Sequence, residues 1–169
     1  TKKPEESIHY FKKAHELDTE NIYVIYNLLS NYAELRDINN LETGLKTYKL
    51  IEKDLKTYFY YKAELLILKN QTNEAKELLE KNLDDVRFAV KLIRLNFTTG
   101  NYEDAKQLFF KIKNKLYDDS NYSNFLATTF LFEGDFEQGW KFYDKRISKI
   151  NSKYFNIKEW RGENLTDKK

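Results

Sequence analysis

The chain is predicted to be all-α, a solenoid of stacked helical hairpins with about four and a half repeats followed by an irregular C-terminal tail. Three observations carry this expectation. The 169 residues include five Gly and one Pro, too little punctuation for many strands joined by tight turns. Short turn-like hexapeptides recur at intervals near 34 residues, the period of two-helix repeats. Between them, apolar residues fall at helical steps of four and seven. With 41% hydrophobic and 33% charged residues, the chain can bury a core and lacks the composition of a disordered segment.

The hexapeptides are Asn39-Asn40-Leu41-Glu42-Thr43-Gly44, Asn70-Gln71-Thr72-Asn73-Glu74-Ala75, Gly100-Asn101-Tyr102-Glu103-Asp104-Ala105 and Gly134-Asp135-Phe136-Glu137-Gln138-Gly139. Each opens on Gly or Asn, which tolerate the left-handed backbone that closes a helix, and each ends on a small residue. Asn101 and Asp135 are placed to cap the next helix, and Asp135 with Gln138 has capping-box spacing. A degenerate fifth copy, Lys2 to Ser7, puts Pro4 at a first helical position, where a missing N–H is harmless. The chain is therefore expected to open on the second helix of a pair. In this register the small residues Ser7, Gly44, Ala75, Ala105 and Gly139 are 37, 31, 30 and 34 residues apart.

From each small residue an apolar stripe follows. It runs through Phe11, Ala14 and Leu17; through Tyr48, Ile51 and Leu55; through Phe109, Ile112 and Leu116; and through Tyr143 and Ile150. The copy from Ala75 through Leu79 to Leu83 is the weakest, with polar Asn82 on its stripe. The first helix of each pair is supplied by Ile22 to Leu35, Tyr58 to Leu68, Val86 to Phe97 and Phe125 to Phe132. A lone hairpin cannot cover both apolar faces, whereas stacked hairpins can. Asp84-Asp85 and Asp118-Asp119 fall at helix starts, where carboxylates complement the macrodipole.

These features resemble the tetratricopeptide repeat. Its pattern has a Gly-Asp/Asn-aromatic turn, a small residue opening the second helix, an aromatic four positions later and a small residue seven later. Gly100 to Ile112 and Gly134 to Arg146 are the best copies, and Tyr32 stands where the family has a small residue. The resemblance covers residues 4 to about 150 and implies a right-handed superhelix over 1–150 with a concave groove for a polypeptide. Gly134 to Trp140, with Tyr143, Arg146, Trp160, Gly162 and Leu165, is similar to the junction at which such repeats run into bacterial glycosyltransferase-like domains. That likeness implies that 151–169 is a linker or tail toward a missing downstream domain in a bacterial cytoplasmic protein. The absence of Met, even at position 1, implies a processed product or a piece of a longer chain.

No catalytic constellation is legible. The chain has no Cys, hence no thiolate zinc site and no cysteine nucleophile. His9 and His15, its two histidines, lie about 240° apart around a helix and cannot share an ion. Gly134-x-x-x-x-Gly139 is followed by Trp140 instead of the Lys of a phosphate loop. No metal or cofactor is expected. Twenty-nine basic residues against 27 acidic ones leave a net charge of +2, too balanced for a dedicated nucleic-acid binder. No apolar run reaches the roughly 20 residues that span a bilayer.

The expected functional surface is the face of the first helices. Its candidate groove residues are Tyr26 with Leu29; Thr57, Tyr60, Tyr61 and Glu64; Arg87, Lys91 and Arg94; and Asn121, Asn124 and Thr128. Arg87, Lys91 and Arg94 place three cations on one helix face, suited to a carboxylate, an acidic peptide or a phosphate, or else a solvated stripe offset by Asp84, Asp85 and acids of neighbouring hairpins. Asn121 and Asn124 resemble the asparagine-lined grooves of repeat domains attached to glycosyltransferases. The expectation is a non-catalytic scaffold that binds a protein or peptide, as the repeat region of a glycosyltransferase-like protein or, alternatively, a free-standing adaptor. Homo-oligomerisation is expected through exposed repeat ends.

Overall fold

A computed structural model describes residues 4–51 and 55–151, with side chains to Lys145. The described residues form nine α-helices and no strand: α1 (Pro4–Leu17), α2 (Ile22–Glu34), α3 (Ile38–Ile51), α4 (Leu55–Leu68), α5 (Thr72–Glu80), α6 (Val86–Thr98), α7 (Tyr102–Ile112), α8 (Ser123–Phe132) and α9 (Phe136–Asn151). The expected all-α hairpin architecture is observed. The molecule divides into two compact units between Ile112 and Lys113. The first holds α1 and the hairpins α2–α3, α4–α5 and α6–α7; the second holds two short 3-10 turns and the hairpin α8–α9. Of the expected tail, 151–169, Asn151 ends α9 and residues 152–169 lie outside the described residues.

All four hairpins close the same way. The N–H of Asp37, Gln71, Asn101 and Asp135 donates to the carbonyl five residues earlier, on Tyr32, Leu66, Asn96 and Phe130, at 2.8–3.0 Å. The residue before each donor, Arg36, Asn70, Gly100 or Gly134, has a positive φ of 58–80°. This is the Schellman closure, which satisfies orphan carbonyls at a helix end.

The first turn therefore lies three residues earlier than the Asn39-Asn40 expectation. Asp37 caps α3, with Oδ1 accepting from the Asn40 N–H at 3.1 Å and Oδ2 from Asn40 Nδ2 at 2.7 Å, while Asn39 and Asn40 are themselves helical. The small-residue position, the fourth of each second helix, is then Ser7, Leu41, Ala75, Ala105 and Gly139. These are 34, 34, 30 and 34 residues apart. Gly44 instead marks a close approach of α3 to α2, since a Cβ there would lie 2.9 Å from Leu29 Cδ2. Asp135 caps α9 as expected, accepting from Gln138 N at 3.1 Å. Asn101 turns its Nδ2 to Thr99 Oγ1. Asn82 falls beyond the end of the nine-residue α5 and donates to the Leu78 carbonyl at 2.8 Å, which is why that stripe breaks.

Stacking in the first unit is visible in α4, which is apolar on two sides. Tyr61 and Leu65 join Ile25, Leu28, Leu29 and Tyr32 of α2 and Leu41, Leu45 and Tyr48 of α3 in one core. Ala63 and Leu66 join Ala75 and Leu79 of α5 and Phe88, Leu92 and Leu95 of α6 in the next. Each large apolar side chain so buried contributes about 1.5–3 kcal/mol, and neither core would be closed without α4. Ion pairs cross the same seams: Glu42 with Lys69 at 2.7 Å, Lys56 with Asp84 at 2.6 Å and Lys76 with Asp104 at 3.4 Å.

In the second unit Phe130 and Phe142 stack nearly parallel at 5.8 Å, with Tyr117 5.1 Å from Phe142. Gly139 lets α9 approach α8, because a Cβ there would lie 2.6 Å from Leu131 Cγ and 3.1 Å from the Leu131 backbone nitrogen.

Candidate functional site

Within the first unit, α2, α4 and α6 lie side by side and present a shared face. At its α2 edge Tyr26 is 42% exposed and meets Tyr61 edge-on at 5.9 Å. Tyr61 is 5% exposed and belongs to the core, so it supports Tyr26 and Tyr60 from beneath and adds little surface. Burial pushes its phenol well above the ordinary tyrosine range, with the neighbouring Tyr26 raising it further and a bond with Ser30 acting against the shift. Leu29 is wholly buried against α3, which removes it from the lining. Thr57, Tyr60 and Glu64 are half-buried.

Tyr60 is the centre of the face. It meets Tyr61 at 5.4 Å and Phe88 at 5.7 Å, both edge-on, so its ring is held from two sides. Lys91 Nζ lies 4.2 Å and the Arg87 guanidinium 5.6 Å from its centroid. The negative face of a tyrosine ring attracts cations, and here it takes two.

Those cations have carboxylate partners as well. Arg87 donates from Nη2 to Asp85 Oδ2 at 2.6 Å and from Nε to both oxygens at 3.0–3.1 Å. Asp85 also caps α6, accepting from the Arg87 N–H at 2.9 Å. Hydrogen bonding from Arg87 holds the Asp85 carboxyl below the usual carboxylate range and raises the guanidinium in turn. Lys91 donates to Glu64 of the preceding hairpin, with side chains 13% and 24% exposed. Arg94 lies exposed on the same helix face. The sequence does place Arg87, Lys91 and Arg94 together, with Asp84, Asp85 and acids of neighbouring hairpins expected to offset them. Asp85 pairs with Arg87 and Glu64 of the preceding hairpin with Lys91, whereas Asp84 pairs with Lys56. Tyr23, 79% exposed one turn before Tyr26, has no sequence signal that separates it from the other tyrosines.

Asn121, Asn124 and Thr128 belong to the second unit, where all three are exposed. Asn121 sits in a 3-10 turn capped by Asp119, whose Oδ1 accepts its N–H at 2.9 Å. Thr128 Oγ1 donates to the Asn124 carbonyl at 3.0 Å, leaving the Asn124 carboxamide directed by nothing in that bond. The step of four from 124 to 128 keeps Asn124 and Thr128 on one side of α8, and Asn121 lies in the turn that precedes it. His9 and His15 lie on α1, the first edge-on to Tyr10 at 5.6 Å.

Among the described residues no cluster of His, Asp and Glu has the geometry to hold a metal ion, and no helix is long and apolar enough to cross a membrane. The arrangement defines an all-α protein of repeated helical hairpins, with an aromatic and charged face on its first helices. No protein-family model matches the chain, and no curated protein matches it. Among solved structures the chain is similar to that of MamA, at 16% identity and a TM-score of 0.49, over 84% of this chain and 85% of that one.

Proposed function

We propose that this chain is a non-catalytic scaffold that holds a polypeptide against the face made by α2, α4 and α6. The observation that carries the reading is the Tyr60 ring, fixed by Tyr61 and Phe88 and overlaid by Lys91 and Arg87, with Tyr26 exposed beside it. Rigid aromatic area next to charged groups suits peptide anchoring, since tyrosine supplies contact surface at low entropic cost. Because Asp85 and Glu64 already neutralise two of the cations, an acidic ligand binds by exchange. Its carboxylate takes over the hydrogen bonds that these acids now accept, and the net gain comes from the aromatic contacts. Asn121 and Asn124 supply amide donors and acceptors for a peptide backbone on the second unit.

Binding of acidic and neutral peptides of equal length to the full chain, measured by calorimetry, tests this. Tyr26→Ala with Tyr60→Ala should weaken both classes, and Ala at Arg87, Lys91 and Arg94 should weaken the acidic class alone. Equal losses for both classes in the second variant would remove the acidic preference, and no loss in the first would remove the site.

The parent is proposed to be a bacterial cytoplasmic glycosyltransferase-like protein whose acceptor this region selects. That reading is supported by the likeness of Gly134 to Trp140 and of Trp160, Gly162 and Leu165 to the corresponding junction. A reading frame continuing past Lys169 into alternating strand and helix patterns would agree with it, and a stop codon there would favour the free-standing adaptor.

A further inference from the structure

Near the end of each hairpin's first helix one residue accepts, through its backbone carbonyl, the bond that closes the turn: Tyr32, Leu66, Asn96 and Phe130. All four are buried, at 6%, 5%, 3% and 2% exposure. Three of them are large and apolar or aromatic, whereas Asn96 is a carboxamide. Its backbone carbonyl accepts from the Asn101 N–H at 2.8 Å, but its side-chain Oδ1 accepts from no described residue. Buried side-chain acceptors in folded proteins are rarely left in this state, because losing water without gaining a donor is unfavourable.

Asn96 lines an open cavity of about 340 Å³ between α5, α6 and α7, at the lower end of the range of ligand pockets, roughly 300–1,000 Å³. Leu83, Leu92 and Leu108 supply its apolar wall. The rim carries charges of both signs, with Lys76 joined to Asp104 at 3.4 Å and with Glu80 and Lys111 beside them. The same groove recurs one hairpin earlier, between α3, α4 and α5, where Leu78 and Lys81 stand as Leu108 and Lys111 stand here. There the position of Asn96 is taken by Leu66, so that groove offers no acceptor at this point. The cavity shares no lining residue with the Tyr60 face and is independent of the peptide reading.

We propose that this cavity is a second binding site, for a neutral apolar group that ends in a single N–H or O–H donor, the chemistry of an indole or a phenol. The leucines take the apolar body, and Asn96 Oδ1 takes the donor. The mixed rim disfavours a formal charge of either sign, since Glu80 and Asp104 oppose an anion while Lys76 and Lys111 oppose a cation. Such a ring arrives as a free small molecule or as the tryptophan or tyrosine side chain of a partner polypeptide.

Indole and benzofuran, which has an oxygen in place of the N–H, test this on the unaltered full chain by NMR titration. Indole should move the Asn96 side-chain amide and the Leu92 and Leu108 methyl signals. It should bind about tenfold more tightly than benzofuran, the difference made by one buried hydrogen bond. Asn96→Leu, which installs the residue of the preceding groove, should bring the two probes to equal affinity. N-acetyltryptophanamide separates the sources: binding at least as tight as that of indole assigns the site to a partner's side chain, and its exclusion assigns the site to a free ring compound. Equal affinities for indole and benzofuran in the unaltered chain overturn the proposal. So does a titration with indole that leaves the Asn96 and leucine signals unmoved.

Discussion

Lys91 Nζ lies 4.2 Å from the centre of the Tyr60 ring and donates to Glu64 one turn further along the same helix α4. One ammonium group on α6 is thus held by two side chains of the preceding hairpin, and its side chain is 13% exposed. A cation that deep is stable only while its partner is present. Glu64→Ala should lower the unfolding free energy by about 1–3 kcal/mol, the cost of leaving a largely buried polar group unsatisfied. Glu64→Ala combined with Lys91→Leu should recover most of it. Urea denaturation of the four species of the cycle measures the coupling; additive losses would mean that the pair contributes nothing across the seam.

Acid stability should report Asp85. Its carboxyl titrates below the ordinary range when folded, because Arg87 hydrogen-bonds the charged form, so in the window between the folded and unfolded values the unfolded chain binds more protons. The stabilisation is complete above the unfolded value, near pH 4, and is lost as pH falls through the folded one. Asp85→Asn keeps a competent N-cap but removes the titration. Midpoints of urea unfolding from pH 6 down to pH 2 should therefore decline less steeply in Asp85→Asn than in the parent chain, and parallel curves would contradict the assignment.

The hairpin architecture was legible because it rests on local chemistry, namely few breakers, apolar steps of four and seven, and turns closed by Gly100 and Gly134. The register of the first turn was not, because Asn39-Asn40 carries the residue types that favour left-handed backbone whereas Arg36, which adopts it, does not. What places that turn is Asp37, whose carboxylate accepts from the Asn40 backbone N–H and carboxamide, together with the spacing of 34 that Leu41 restores on either side of it. The three cations were legible as a cluster, since one helix carries them. Their neutralisation was legible in part: Asp85, two residues from Arg87, is among the expected balancing acids, whereas nothing in the sequence singles out Glu64, 27 residues from Lys91, which only the stacking of α4 on α6 brings near.

The left-handed positions make opposite predictions in different copies. Arg36 holds φ 58° and Gly100 φ 79° in the same closure, and for an L side chain that backbone costs roughly 1–2 kcal/mol. Arg36→Gly should relieve it, less the 0.4–1 kcal/mol or so by which added freedom favours the unfolded chain, for a net gain of up to about 1 kcal/mol. Gly100→Ala should lose a similar amount although a Cβ there meets nothing within 4 Å. Thermal unfolding of both variants decides this, and a Gly100→Ala midpoint at or above that of the parent chain would show that the closure tolerates a side chain.

The fourth position of α3, α5, α7 and α9 gives the sharpest test of the repeat register, because its occupants differ in size while all are buried. Leu41, Ala75 and Ala105 are all fully buried, and Gly139 sits where a Cβ would meet Leu131, including its backbone nitrogen at 3.1 Å. Ala105→Leu should overpack the α6–α7 hairpin and cost about 1–3 kcal/mol. Leu41→Ala should open a cavity between α2 and α3 and cost about 2–5 kcal/mol. Gly139→Ala sets a helix-propensity gain of about 1 kcal/mol against a clash whose backbone component cannot rotate away, so it should destabilise. At Gly44 the clash is with Leu29 Cδ2 alone, the movable end of a side chain, and Gly44→Ala should be the best tolerated of the four. Chemical denaturation of the set should rank Leu41→Ala lowest and Gly44→Ala highest; a Gly44→Ala loss exceeding that of Leu41→Ala would return the small-residue position to Gly44.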